Sequence, residues 1–128
     1  MRLFLFVLTI TMFLFSCKGN RIHYDEVQKS VICTEGVIKH LTITNQVFYD
    51  SYFIDLNQNN IGSNIFYLFR KNEGYKISTF TRHIIDSIKI APNVKYLIKN
   101  RSYPDASNLG FEIEFDSLYN VKYLEYGH

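Results

Sequence analysis

The clearest chemical pattern in the sequence is a row of carboxylates near the C-terminus. Glu112, Glu114 and Asp116 each follow an apolar residue in the segment FEIEFD, residues 111–116. Residues two apart on a strand lie about 6.6 Å from each other, a separation that suits a glycosidase acid pair or a calcium site. The same row is typical of a solvated strand face whose charges discourage aggregation. No glycine–aspartate loop lies nearby, so the solvated face is the simpler interpretation and a hydrolase using Glu112 and Glu114 is the alternative.

Tyrosines form a second group that could make contacts, and all ten lie after residue 17. Partly exposed tyrosine is favoured at protein and carbohydrate surfaces because its ring is rigid and its hydroxyl stays hydrated. Tyrosine is also simply a good strand residue. Tyr103 lies beside Pro104 and Asp105 in a predicted loop, which makes it the first candidate contact residue. Tyr119 and Tyr123 are the next candidates.

The remaining chemistry-bearing residues do not form a recognisable motif. His23, His40 and His83 are isolated from other ligating side chains along the sequence, so no metal site is predicted. The chain has no phosphate-binding glycine loop, no dinucleotide fingerprint and no nucleophile elbow. We therefore predict no cofactor and no enzymatic activity.

The N-terminus has the build of a secretory signal. Arg2 precedes an apolar run, residues 3–15, in which only two threonines are polar, and the next charged residue is Lys18. A helix that spans a bilayer needs about 20 apolar residues, so this run is too short for a permanent anchor. The sequence predicts an export signal that is removed.

The end of the apolar run resembles the lipobox of bacterial lipoproteins, and it reads Leu14-Phe15-Ser16-Cys17. In that family the cysteine receives a diacylglyceryl group and a peptidase cuts before it. Two acyl chains hold a protein stably, whereas one holds it only marginally. The resemblance implies a membrane partner through lipid on Cys17. Lys18 is not the aspartate of the family's inner-membrane retention rule, which implies the outer membrane; an ordinary signal with a chance cysteine is the alternative.

Composition places the mature chain among small β proteins. Removal of residues 1–16 from the chain of 128 leaves 112 residues, enough for one domain. Thirteen basic and twelve acidic residues remain, so the near-neutral charge argues against a nucleic-acid partner. β-branched and aromatic residues dominate and alanine occurs only twice, which favours strands over helices. Residues 17–27 are predicted to form the lipidated cysteine and a tether, and residues 28–128 a single domain. Cys33 is expected in the core, with a reactive or intermolecular thiol as the alternative.

Runs bounded by turn signals predict the strands. They cover residues 46–56, 65–70, 75–80, 94–99, 109–116 and 121–126. Residues 71–74 are expected to join the second and third runs as a tight hairpin. The fourth and fifth runs are expected to pair antiparallel, which places Lys95 and Lys99 on the face that carries the carboxylates. Residues 81–90 are predicted to form a strand after a short turn, with a helix as the alternative.

The segment IAPNVKYLI, from Ile90 to Ile98, resembles a corner found in fibronectin type III-like β-sandwiches. In those domains the hydroxyl of a tyrosine bonds back to the backbone and locks the corner, and Tyr96 would be that residue. This chain has no tryptophan, which those domains usually pack in the core. The fold class predicted is therefore all-β, a small antiparallel β-sandwich, rather than that exact topology.

Together these features predict a membrane-anchored envelope lipoprotein that acts as a small binding, accessory or assembly module. Its expected partner is another envelope protein or a glycan. A tethered hydrolase of polysaccharide or peptidoglycan is the alternative, and a purely structural envelope protein is a third interpretation.

Overall fold

The computed structural model describes residues 19–103 and 109–127, which form ten strands in two antiparallel sheets. The strands are β1 (Ile22–Asp25), β2 (Ser30–Cys33), β3 (His40–Asn45), β4 (Ser51–Leu56), β5 (Ile65–Tyr67), β6 (Tyr75–Thr79), β7 (Ile84–Ile85), β8 (Lys95–Asn100), β9 (Leu109–Phe115) and β10 (Val121–Tyr126). The predicted all-β class is confirmed. Across the described ranges there is no helix of the length and apolarity needed to cross a bilayer. The predicted signal segment, Cys17, Pro104 and Asp105 lie outside the described residues.

The two sheets differ greatly in width. One contains three strands in the order β1-β2-β5, and the other contains seven in the order β10-β9-β8-β3-β4-β6-β7. The first, second and fifth strands thus share one sheet while the third and fourth share the other. This distribution is similar to that of immunoglobulin-like sandwiches.

The core lies between the sheets and follows the period-two pattern of the sequence. Phe111, Ile113 and Phe115 of β9 are fully buried, each contributing roughly 1.5–3 kcal/mol of burial free energy. Tyr24 of β1 packs against the two phenylalanine rings at centroid distances of 6.3 and 5.7 Å, which joins the small sheet to the large one. The predicted sandwich is confirmed by this packing.

The expected pairing of the two most regular runs is also observed. β8 and β9 are antiparallel, with Lys95 opposite Glu114 and Lys99 opposite Gly110. At the start of β8, the hydroxyl of Tyr96 accepts a hydrogen bond of 2.8 Å from the backbone N–H of Ala91. The tyrosine therefore makes the bond to the backbone that the resemblance of residues 90–98 to a fibronectin type III-like corner implies.

The hairpin predicted around residues 71–74 is wrong. β5 pairs with β2 in the small sheet, whereas β6 pairs with β4 in the large sheet. The side chain of Asn72 accepts from the backbone N–H of Tyr67 and donates to its carbonyl, which holds the loop without any strand partner. Phe66 is fully buried between the sheets. Burial of that ring decides the pairing, and local turn chemistry does not.

Two further boundaries differ from expectation. The segment expected to be a tether up to residue 27 contains β1, where Ile22 and Tyr24 are buried, so the domain begins before residue 28. Both residues alternate with polar neighbours in a short run. The strand predicted in residues 81–90 is reduced to Ile84–Ile85, because the chain then leaves the sheet to cover its inner face.

Candidate functional site

Tyr103, the first predicted contact residue, is half-buried and ties the start of the domain to the rest of it. Its hydroxyl accepts a 3.0 Å hydrogen bond from the backbone N–H of Val37. Its own backbone N–H and carbonyl each bond to the side chain of Asn20, both at 2.8 Å. The Nζ atom of Lys39 lies 5.2 Å from the ring centroid. These contacts give Tyr103 a structural role where the chain enters the fold.

Tyr119 and Tyr123 lie in different surroundings. Tyr119 occupies the β9–β10 turn with φ +60°, and its ring meets that of Phe69 edge-on at 5.3 Å. Tyr123 lies on the outer face of β10 under the Nζ atom of Lys95, which is 4.3 Å from the ring centroid. A hydrogen bond to Glu125 raises the pKa of Tyr123 to about 12. The three candidate tyrosines therefore do not form one site.

Glu112 and Glu114 lie on the outer face of the seven-stranded sheet and are engaged by their neighbours, whereas Asp116 begins the β9–β10 turn and accepts from the backbone N–H groups of Leu118 and Asn120, both at 2.9 Å. The Oε2 atom of Glu114 is 3.1 Å from the Nζ atom of Lys122. The Nε2 atom of Gln46 donates to Glu112 at 3.1 Å. Lys95, expected to pair with the carboxylates, instead covers the ring of Tyr123. The row thus has the arrangement of a paired strand surface.

Cys33 is buried, which confirms its predicted place in the core. Its Sγ atom lies 3.7 Å from the carbonyl oxygen of Gly19 and 3.5 Å from the side-chain nitrogen of Asn100. Within residues 19–103 and 109–127, no group of three or more His, Cys, Asp and Glu side chains could hold a metal ion.

The strand directions define two ends of the sandwich. At one end the chain enters through Gly19 and Asn20, and we call this the entry end. At the other end lie the turns that follow β1, β3, β6 and β9, residues 26–29, 46–50, 80–83 and 116–120. We call this second end the distal end.

Exposed apolar side chains concentrate at the distal end. Among the described residues, ten large hydrophobic side chains are exposed, and six of these belong to the four distal turns: Val27, Val47, Phe48, Tyr49, Phe80 and Leu118. At the entry end the exposed ones are Ile61 and Tyr126. Exposed apolar patches mark interaction sites more often than scattered single residues do, and these six residues are spread over four turns of one end.

The distal turns also hold unusual backbone conformations. Six described residues other than glycine have positive φ, and five lie at this end: Lys29, Tyr49, Arg82, Asn93 and Tyr119. A left-handed conformation costs a bulky side chain about 1 kcal/mol or more, and such strain collects at ligand-binding sites. Tyr49, at φ +56° and 80 % exposed, combines the strain with a ring that is presented to solvent.

Comparison with known proteins gives no assignment. No protein-family model matches the chain, and no curated protein or solved structure matches it significantly. Function must therefore be inferred from the chain's own side chains.

A concavity of about 410 Å³ opens at the distal end, beside the β3–β4 and β6–β7 turns. It exists because the seven-stranded sheet extends beyond the three-stranded one, leaving part of its inner face to be covered by a connecting segment. The hydroxyl of Tyr52 contacts both the backbone N–H and the carbonyl of Lys89, at 3.3 and 3.4 Å, and so holds that segment over the sheet. The lining mixes polar and apolar groups, among them Asp50, Thr81 and His83.

The β3–β4 turn is the part of the distal end that the predicted strands conceal. Residues 46–56 were predicted as one strand, whereas residues 46–50 form the β3–β4 turn. The carboxamide oxygen of Asn45 accepts from the backbone N–H groups of Val47 and Phe48, at 2.9 and 3.3 Å. An asparagine that starts such a turn was the available signal.

Proposed function

We propose that this chain is an envelope lipoprotein that works as a binding module, held by lipid on Cys17 and meeting its partner with the distal end. The observation that carries the proposal is the opposition of the two ends. The chain enters the domain at Gly19, two residues after Cys17, and the exposed apolar turns lie at the far ends of the strands.

The dimensions suit this arrangement. β9 has seven residues, and at about 3.4 Å per residue it extends over roughly 24 Å. A lipid at the entry end would hold that end against the headgroups of the outer membrane and carry the distal turns some 24 Å away from them. A partner at the distal end could then be reached without disturbing the anchor.

A hydrolase that uses Glu112 and Glu114 receives less support. Both side chains lie on the outer face of a sheet and are engaged by Gln46 and Lys122. A glycosidase acid pair has to flank a bound sugar, with one carboxyl ready to donate a proton. The distal end, rather than this face, provides the concavity and the exposed rings.

The proposal is tested by placing a photoreactive benzophenone side chain at Phe48 or Leu118, one position at a time, in the full chain in its native membrane. Ile61, 91 % exposed at the entry end, is the matched control position. Both distal positions are expected to give one specific adduct that the control position does not give. The proposal is overturned if the distal positions give no adduct, or if the same adduct forms from position 61.

A further inference from the structure

A chain of hydrogen bonds runs along the β6–β7 turn at the edge of the distal concavity. The Oγ1 atom of Thr81 lies 3.1 Å from the Oγ1 atom of Thr79 and 3.1 Å from the Nδ1 atom of His83. The backbone N–H of His83 donates to Thr79 at 3.2 Å, which closes the turn. Two hydroxyls and an imidazole are therefore aligned at one edge of the concavity.

This alignment leaves the Nε2 atom of His83 able either to donate or to accept a hydrogen bond. Nδ1 of His83 is engaged by Thr81, whereas Nε2 lies on the other side of the ring and takes no part in the chain of bonds. In one tautomer Nε2 donates, and in the other it accepts, while the two threonine hydroxyls reverse direction accordingly. A ligand hydroxyl can bond to Nε2 in either tautomer, because a hydroxyl both donates and accepts hydrogen bonds. Phosphate and carboxylate oxygens only accept.

An apolar surface lies beside these polar groups. Phe80 lines the concavity and its side chain is 68 % exposed, and the inner-face residue Tyr52 contributes a second ring. Asp50, at the end of the β3–β4 turn, also lines the concavity. A site with one aromatic surface and several hydroxyl-compatible groups around it matches a ring that has an apolar C–H face and a hydroxylated edge.

We propose that the distal concavity binds a neutral sugar residue of a glycan, with the sugar's C–H face on Phe80 and its hydroxyls on the groups of Thr81, His83 and Asp50. This inference rests on the proposed binding function of the distal end and names the ligand class. The volume of about 410 Å³ falls within the range of small-molecule sites, roughly 300–1,000 Å³, and accommodates one sugar ring with its substituents.

The inference is tested by saturation-transfer difference NMR on the protein purified from its native membrane in detergent. The probes are the methyl glycosides of glucose, galactose, mannose and N-acetylglucosamine. At least one is expected to receive saturation and to be displaced by the corresponding oligosaccharide. Thr81→Val keeps the shape of the side chain and removes the hydroxyl, and is expected to raise the Kd about two- to tenfold.

Phe80→Ser removes the aromatic surface and is expected to abolish the transfer, whereas Ile61→Ser, at an exposed apolar position of the entry end, leaves it unchanged. The sugar inference is overturned if none of the four glycosides receives saturation, or if Phe80→Ser and Ile61→Ser behave alike. If the glycosides fail while the benzophenone at Phe48 still forms its specific adduct with a protein, the distal end remains a binding surface and only the ligand class is wrong.

Discussion

The hydroxyl of Tyr96 accepts a 2.8 Å hydrogen bond from the backbone N–H of Ala91, and this bond fixes the corner at which the chain enters β8. Burial raises the pKa of Tyr96, and the bond from Ala91 partly offsets that increase. The same corner borders the distal concavity, which Tyr96 helps to line. The side chain of Tyr96 therefore belongs both to the corner that the sequence of residues 90–98 indicates and to the wall of the distal concavity.

Tyr96→Phe is expected to destabilise the domain by about 1–2 kcal/mol, because the Ala91 N–H loses its acceptor in a partly buried position. The urea midpoint measures the effect. Tyr123→Phe on the outer face is the matched control, and it is expected to change the free energy of unfolding by less than about 0.5 kcal/mol. Equal losses in the two variants would show that the corner bond has no special role.

The parts of the fold that could be predicted from the sequence are those that local pattern decides. The alternation in β9 indicates which side chains are buried, because period two in a strand is independent of its partner. The Tyr96 bond spans only five residues. Both features needed no knowledge of the rest of the chain.

The parts that could not be predicted depend on residues far apart in sequence. β5 pairs in the small sheet and β6 in the large one, so the chain crosses from one sheet to the other between them instead of forming a hairpin. Nothing in the sequence of residues 71–74 indicates this crossing. The distal concavity likewise depends on the different widths of the two sheets. Its Thr81 and His83 look like ordinary turn residues in the sequence.

A buried polar cluster gives the second prediction. The Oγ atom of Ser102 accepts from the backbone N–H groups of Lys39 and His40, at 2.7 and 3.1 Å, and its hydroxyl contacts the fully buried side chain of Asn100. Ser102→Ala is expected to cost about 1–3 kcal/mol, since two backbone donors lose their shared acceptor.

Thermal and urea unfolding measure this cost, and Ser87→Ala, at an exposed position, provides the control. The control is expected to change the free energy of unfolding by less than about 0.5 kcal/mol. A Ser102→Ala protein as stable as the control would mean that water replaces the serine hydroxyl at both N–H groups.

Alkaline pH gives the third prediction. Burial, together with the charges of Glu26 and Asp25, raises the pKa of Tyr24 to about 12 from its ordinary value of 10.0. Because the folded-state pKa lies above the unfolded one, the contribution of this phenol to stability is complete below about pH 10. It is lost as the pH rises through about 12, at about 1.4 kcal/mol per pH unit.

The urea midpoint is expected to fall between about pH 10 and about pH 12 and to fall less steeply in Tyr24→Phe, which has no phenol to ionise. Burial raises the pKa values of Tyr75 and Tyr96 in the same direction, so some alkaline loss remains in the variant. Identical pH profiles for the wild type and Tyr24→Phe would refute the assignment.

The carboxylate face gives the fourth prediction. Glu112→Gln combined with Glu114→Gln removes the ion pair with Lys122, whose worth at a partly exposed site is about 0.2–1 kcal/mol. The double variant is expected to remain folded and to keep both the distal benzophenone adduct and any saturation transfer to the glycosides. Loss of either signal in a folded double variant would move the site to the outer face and revive the hydrolase alternative.

The lipid anchor gives the fifth prediction. Cys17→Ala is expected to abolish incorporation of radiolabelled fatty acid and to prevent removal of residues 1–16, because the sulfur of Cys17 is the atom that the lipid would modify. Cys33→Ala is the matched control, since its sulfur is buried in the core and cannot be acylated in the folded domain. The described contacts of the domain begin at Gly19 and Asn20, so loss of the thiol at position 17 should leave the urea midpoint unchanged. Labelling that persists in Cys17→Ala would contradict the proposed anchor and, with it, the proposed outward orientation of the distal end. The sugar site would still be judged by its own variants.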